Sequence, residues 1–445
     1  MVSKRVYLGP SEVAGYYSNL YLGLKTLGVN VDCVFDKEHP FGYARPGDKP
    51  DVLLRFKRWT FSIRDKTPRR KIVKKLFFVI ASICAAFLHF ISLIRKYDVF
   101  IFGFGLTLLP HNVDLPILKI FQKKIICNLA HGSESRPSYC GRYLNSSNGQ
   151  TFTAAELLFL AKSSKMRQRW LEKYADIIIG APYSTSPFSG VNFINSFVFG
   201  VPYSGSISNN VNTSENSSHI AKNNIDEGPV RILHSPSKPV TKGSELIRIA
   251  IENLQSKGYA IEFIELRDRP NSEVLQEIQN CDFVVDQLYS DTPLAGFATE
   301  AAWFGKPAVV GGYGLESLRK FIPKNMLPPS QICLPDNVEF AIEELIVNID
   351  HRLQLGAKAQ NFVRSKWAAQ EAAKKFFRLI TDDIPEDWWL NPKDVVYLHG
   401  CGLSEEHAKN NVRKLVQAYG IESLQLSHRP DLEKAFMDFA GIKVP

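Results

Sequence analysis

Short apolar runs that read as buried strands alternate with longer amphipathic stretches twice along this chain, and a polar, low-complexity segment separates the two series. Such alternation constrains the fold tightly, because strands that are apolar throughout need helices on both faces, which is the pattern of a doubly wound parallel sheet. The first series runs through Arg5–Leu8, a helix from Ser11 to Leu27, Val31–Phe35, Asp98–Phe104, Lys124–Leu129, a helix from Ala154 to Tyr174, and Ala175–Gly180. The second begins at Pro229–Leu233. It continues through a helix from Ser244 to Lys257, Ile261–Ile264, a helix from Ser272 to Asn280, Phe283–Asp286, a helix around Thr299–Phe304, and Pro307–Val310. The expected organisation is a Rossmann-like domain over 1–203, a linker over 204–228, a second Rossmann-like domain over 229–380, and a small helical appendage over 381–445. In the appendage, Ser404 reads as an N-cap and Pro430 as a first-turn proline.

A chain of 445 residues with 45% apolar and 22% charged residues is a folded protein with more than one core. Its seven cysteines are scattered, odd in number and without zinc-like spacing, which fits a reducing compartment. The first residues lead into a strand and lack the apolar core of a secretory signal, so an intracellular location is expected. N-x-S/T triplets at Asn145, Asn212 and Asn216 lie in Ser/Asn-rich stretches and are read as products of composition.

Charge is concentrated. Between Arg55 and Lys75 there are ten Lys or Arg against the single acid Asp65, a local excess as large as the net +9 of the whole chain. The adjoining segment from Leu76 to Ile94 is apolar except for Ser82, His89 and Ser92. As a helix it would cover roughly 28 Å, close to the thickness of a bilayer core. Three readings are open: a membrane span, a buried crossover helix, and a helix lying partly in the membrane interface. Asp51–Arg55 and Asp98–Gly103 read as neighbouring strands of one sheet, which disfavours a span. Basic residues beside an apolar helix point to anionic lipid rather than nucleic acid, because only Trp59 and Phe61 interleave with the cations to stack on bases.

Several loops carry candidate chemistry. Gly9–Gly15 is a glycine-bearing turn ahead of a helix, with Gly15 at its end; an ordinary strand-to-helix loop reads the same way. In the stretch His234–Glu245, Lys238 and Lys242 with Gly243 precede a helix N-terminus. Two ammonium groups and exposed N–H groups there suit a diphosphate, and the bland alternative is a solvated lysine loop. In Ala295–Glu300, the run Gly296, Phe297, Ala298 and Thr299 offers backbone N–H groups. Glu300 is available there to bond ribose hydroxyls or to cap its own helix. His131-Gly-Ser-Glu-Ser-Arg136 follows a buried strand and brings an imidazole to the carboxyl end of the sheet.

Taken together, His131-Gly-Ser, Pro236–Gly243 and Gly296–Pro307 resemble the retaining GT-B glycosyltransferases of the glycogen-synthase-like and mannosyltransferase-like superfamily, which includes bacterial surface-polysaccharide enzymes. The resemblance covers the order of elements from about residue 4 to 380 and is strongest in the second half. It implies two Rossmann-like domains facing a cleft. It also implies that Lys242 binds the donor diphosphate, Glu300 the donor ribose, His131 the transferred sugar, and that Gly15 approaches the phosphates. The chain departs from the pattern at Pro239, where many members have arginine and Lys238 stands one position earlier, and at Thr292, where many have a second glutamate and Asp291 is adjacent.

The implied activity is transfer of a sugar from a nucleoside-diphosphate sugar such as a UDP sugar to an acceptor, with retention of configuration. No Asp-x-Asp occurs in the chain, so the expectation is a reaction without cofactor or obligatory metal, in which lysines and helix N-termini bear the leaving charge. With residues 55–94 in the acceptor domain, the expected partners are a lipid-linked saccharide or lipid acceptor and an anionic membrane surface, with the protein cytoplasmic and peripheral to the inner face. A competing reading is a non-catalytic membrane-associated scaffold of the same fold. A nicotinamide enzyme is disfavoured because the first loop lacks G-x-G-x-x-G.

Overall fold

The apolar runs become the centres of two parallel sheets. The computed structural model describes residues 4–37, 40–43, 46–47, 50–68, 71–141, 150–205 and 228–443. All but the ends of the expected linker, the three N-x-S/T triplets, and Arg69 and Arg70 of the basic block lie outside these residues. The first domain contains strands β1 (Val6–Gly9), β2 (Val31–Cys33), β3 (Val99–Gly103), β4 (Lys124–Leu129), β5 (Ile177–Gly180) and β6 (Phe193–Asn195). Its helices are α1 (Tyr16–Thr26), α2 (Val52–Lys66), α3 (Ile72–Lys96), α4 (Leu115–Ile120), α5 (Ala154–Tyr174) and α6 (Pro182–Thr185). The second domain contains β7 (Val230–His234), β8 (Ile261–Glu265), β9 (Phe283–Val285), β10 (Ala308–Gly311) and β11 (Gln331–Cys333). Its helices are α7 (Pro239–Lys242), α8 (Ser244–Ser256), α9 (Asn271–Asn280), α10 (Gly296–Trp303), α11 (Leu315–Leu318), α12 (Val338–Val347) and α13 (Ile349–Lys366). Then follow α14 (Ala369–Thr381), the short strand β12 (Trp389–Leu390), α15 (Glu405–Tyr419) and α16 (Pro430–Phe439).

The first sheet has the order β12-β6-β5-β4-β3-β1-β2 and the second β11-β10-β9-β7-β8. All pairs are parallel except β12 with β6. Two doubly wound Rossmann-like domains facing a cleft, with a helical appendage, make up the GT-B architecture.

The chain returns to the first domain before residue 380. Phe376, Leu379 and Ile380 of α14 join the core formed by α1, β1 and β3. Gly23 makes this packing close, since a Cβ there would stand 2.1 Å from the Ala369 carbonyl oxygen. The appendage is not free-standing either. Leu415, Phe436 and Met437 pack with Tyr139 and Leu157 of the first domain. Ser404 caps α15 by accepting the His407 amide, and Pro430 opens α16.

One expected strand is a helix. Asp51–Arg55 opens α2, because the Asp51 carboxylate accepts the Leu54 amide at 2.7 Å and so satisfies a first-turn donor. A short apolar run fits either structure, and the cap decides between them. The topological objection to a span survives in a different form. β2 and β3, on either side of the α2–α3 hairpin, both pair with β1, so a single crossing by α3 would pull one sheet apart. Instead α3 is divided along its length. Ala86, Phe90, Leu93 and Ile94 enter the core beneath β1 and β3, while Val73, Leu76, Phe77, Ile80, Ile83, Phe87 and Leu88 face outward and exposed. The crossover reading describes the inner face of this helix, and its outer face is apolar and exposed.

Candidate functional site

A cavity of about 290 Å³ opens between the two domains. The β1–α1 loop supplies Val13 and Ala14, and the segment after β2 supplies Phe41 and Tyr43. From the second domain come the loop after β7, Lys242, the N-terminus of α9, and the first residues of α10. Loops at the carboxyl ends of both sheets therefore converge, as ligand sites in such folds do. The domains touch around it: the Asn271 amide donates to the Phe41 carbonyl at 3.1 Å, and a Cβ on Gly296 would lie 3.9 Å from the Ala14 Cβ.

Lys242 lines the cavity and Lys238 does not. Lys238 caps the short helix α7 from an exposed position, whereas Lys242 ends that helix and turns inward to Asp286, Nζ to Oδ1 3.2 Å. The turn depends on Gly243, whose φ of 75° is left-handed and whose added Cβ would stand 2.9 Å from that of Leu288. The convergence of two lysines expected from the sequence is thus reduced to one. Asp286 is buried, and its Oδ2 has no hydrogen-bond partner among the described residues.

Helix α10 divides its residues by its own period. Gly296, Phe297 and Glu300 face the cavity. Ala298 is fully buried in the domain core, and Thr299 is buried with its hydroxyl on the Ala295 carbonyl at 2.8 Å. The side chains of Ala298 and Thr299 are therefore turned away from the cavity, on the far side of the helix from Gly296 and Glu300, and what these two residues can offer a ligand is confined to the backbone of the first turn. Glu300 accepts from Asn271 Nδ2 at 2.9 Å. Burial raises its pKa to about 8, with Asp286 adding to the rise and Asn271 opposing it. Glu300 is thus largely a neutral acid at neutral pH, able to donate as well as accept.

Gly15 and His131 stand behind the site. Gly15 has φ 78° at the start of α1, and Tyr43 lies 3.1 Å from its would-be Cβ; its neighbour Ala14 makes the cavity wall. His131 follows β4 but lies outside the cavity lining, with Nε2 2.8 Å from the Tyr17 hydroxyl and its ring edge-on to Tyr16 and Tyr17. Burial lowers its pKa to about 4, so the ring is neutral. The second carboxylate near Thr292 is also committed. Asp291 forms a buried ion pair with Arg136 of the first domain. Asn271, Tyr43 and Asp286 are site residues that sequence reasoning passed over, since an isolated Asn, Tyr or Asp after a strand carries no pattern of its own.

No protein-family model matches this chain, and neither does any curated protein. Solved structures that resemble it include proteins described as glycosyltransferases or as complexes with UDP or UDP-sugars. Anabaena HepE in complex with UDP and glucose is 12% identical, with a TM-score of 0.48, over 85% of this chain and all of that one. Staphylococcus aureus MnaA bound to UDP is 11% identical, with a TM-score of 0.43, over 86% of this chain and 98% of that one. The glycosyltransferase SnogD from Streptomyces nogalater is 12% identical, with a TM-score of 0.38, over 85% of this chain and 99% of that one. At this level of similarity the chemistry has to be read from the site itself.

Proposed function

We propose that this chain is a glycosyltransferase that moves a sugar from a nucleoside-diphosphate sugar to a lipid-linked glycan acceptor at a membrane, with retention and without an obligatory metal. The observation that carries the reading is one interdomain cavity that joins an inward-turned lysine, a helix N-terminus and a buried carboxylic acid. Each matches one part of a nucleoside diphosphate. Lys242 and the amides at the start of α10 suit the phosphates, and Glu300 with Asn271 suits a ribose diol. Breaking the bond between anomeric carbon and phosphate builds charge on the leaving diphosphate, and Lys242 would stabilise that charge more in the transition state than before it. Front-face attack, with the leaving phosphate taking the acceptor proton, needs no side-chain base. That agrees with a neutral His131 held by Tyr17. Contact between the domains limits access of water to the reacting bond.

Membrane association is supported by the outward apolar stripe of α3, about 23 Å from Val73 to Leu88, and by Arg55, Lys66, Lys71 and Lys74 exposed on the same hairpin. An interfacial helix combines such features. We assign the protein accordingly to the inner face of the membrane and to surface-polysaccharide assembly.

The test is a thermal-shift screen with UDP, GDP, ADP and CMP, with and without EDTA. A shift with one nucleoside diphosphate that survives EDTA and is lost in Lys242→Ala supports the reading. Absence of any shift favours the non-catalytic scaffold, whose Arg136–Asp291 pair would then serve only to join the domains.

A further inference from the structure

The element that carries Lys242 has little packing of its own. Helix α7 is four residues long and buries none of them, so contacts from outside the helix must fix where the Lys242 ammonium stands. The Leu288 amide donates to the Lys242 carbonyl at 3.0 Å. Gly402 of the C-terminal appendage lies against Thr241, where an added Cβ would stand 3.2 Å from the Thr241 Cβ. The Gly402 amide also donates to the Tyr289 carbonyl at 2.9 Å. Gly402 thus touches the residue before Lys242 and the residue after Leu288, on both segments that meet at the lysine.

Gly402 ends a segment tied on both sides to the first domain. Before it, β12 pairs with β6; after it, Val412 and Leu415 of α15 pack on Leu157 and Ala161 of α5. The Cys401 amide adds a bond to the Cys140 carbonyl at 2.9 Å. Between these anchors the chain leans on the second domain. Val395 and Tyr397 are buried against Leu318, and a Cβ on Gly314 would meet the Tyr397 ring at 2.3 Å. The buried Arg429 guanidinium stiffens the segment by donating to the Pro392 and Val395 carbonyls at 2.6 and 3.1 Å.

We propose that residues 395–402 are a strap by which the appendage holds α7 against the first domain, and that Tyr397 and Gly402 are positioning residues for the Lys242 ammonium. This inference rests on the donor reading above and gives the appendage its part in that site. The strap is anchored in the domain that does not carry Lys242, and its tip reaches the one that does. Gly402 makes the approach because its φ of 76° is left-handed and the space before Thr241 is too narrow for a side chain. A slack strap frees α7, and the loss falls on the phosphates of a bound nucleotide, not on its nucleoside.

The test uses the full chain with Gly402→Ala, Tyr397→Ala and Tyr397→Phe, read by hydrogen exchange and by titration with UDP and with uridine. In the two alanine variants, peptides covering 239–243 and 286–290 should exchange about tenfold faster while those of α8 and α15 stay unchanged. The Kd for UDP should rise about tenfold and that for uridine should hold. Tyr397→Phe should behave as the wild type, because the Tyr397 hydroxyl has no hydrogen-bond partner among the described residues and its ring makes the contact. Unaltered exchange at 239–243, equal loss of UDP and uridine affinity, or faster exchange throughout α8 and α15 overturns the proposal. Should Tyr397→Ala fail to fold, Gly402→Ala, which adds one methyl group, decides alone. Where the wild type binds no UDP, the exchange arm still decides for or against the strap, and the failure belongs to the donor reading.

Discussion

The ammonium of Lys242, whose side chain lines the interdomain cavity, lies 3.2 Å from the buried Asp286 carboxylate. The pair is unequal, since Asp286 is almost wholly buried while Lys242 retains partial exposure. Lys242 can turn to a diphosphate; Asp286 cannot leave. Lys242→Ala should therefore do two separable things. It removes a charge-assisted contact worth about 1.5–3 kcal/mol, so UDP affinity in titration calorimetry should fall roughly tenfold to a hundredfold. It also strands a buried carboxylate and lowers the melting temperature. Adding Asp286→Asn should restore stability without restoring affinity. Recovery of both would mean that Lys242 does not contact the nucleotide.

Glu300 predicts a pH dependence. Its folded pKa, raised from 4.5 to about 8 by burial, lies above the unfolded value, so the native state holds a proton that the unfolded chain has lost. Its contribution to stability is complete below about pH 4.5 and is lost as pH rises through 8. Glu300→Gln, which keeps the Asn271 contact without the titration, should flatten the fall in melting temperature over that range. An unchanged slope would show that another group governs it.

Arg136 and Asp291 join the domains through a buried pair in which neither partner faces water. Removing one partner of such a pair typically costs about 3–5 kcal/mol. Asp291→Asn should be strongly destabilising in urea, while Arg136→Met with Asp291→Leu should recover much of the loss. Near-additive losses in the double variant would argue that the two side chains act independently.

The outward face of α3 should control binding to lipid. Ile80→Ser with Ile83→Ser leaves the buried Ala86, Phe90 and Leu93 in place and should abolish co-flotation with phosphatidylglycerol vesicles without lowering the melting temperature. Charge reversal at Lys71 and Lys74 should weaken flotation by about 1 kcal/mol per residue and reduce its dependence on salt. Flotation that persists in both variants would refer membrane binding to another surface.

The alternation of apolar runs was sufficient to announce two parallel sheets, because a strand buried on both faces cannot conceal its composition. Lys124–Leu129 and Ala154–Tyr174 have the limits their patterns imply. The glycine-bearing loops were legible for a similar reason, since Gly15 and Gly243 occupy left-handed backbone that other residues adopt at a cost. Asp51–Arg55 is a helix where its pattern suggests a strand, because three apolar residues in a row have no period, and the capping contact to Leu54 decides for the helix.

What the sequence determined by itself was local: the order of elements, the loops that carry Lys242 and Glu300, and the basic block beside an apolar helix. What the tertiary structure alone decided was which of these groups meet. Lys242 rather than Lys238 faces the cavity, Asn271 joins it from another loop, Asp286 stands buried behind Lys242, Asp291 is taken by Arg136, and α14 crosses back to the first domain. These relations link residues far apart in the chain, and they are fixed by how two sheets and their helices pack, which no local pattern encodes.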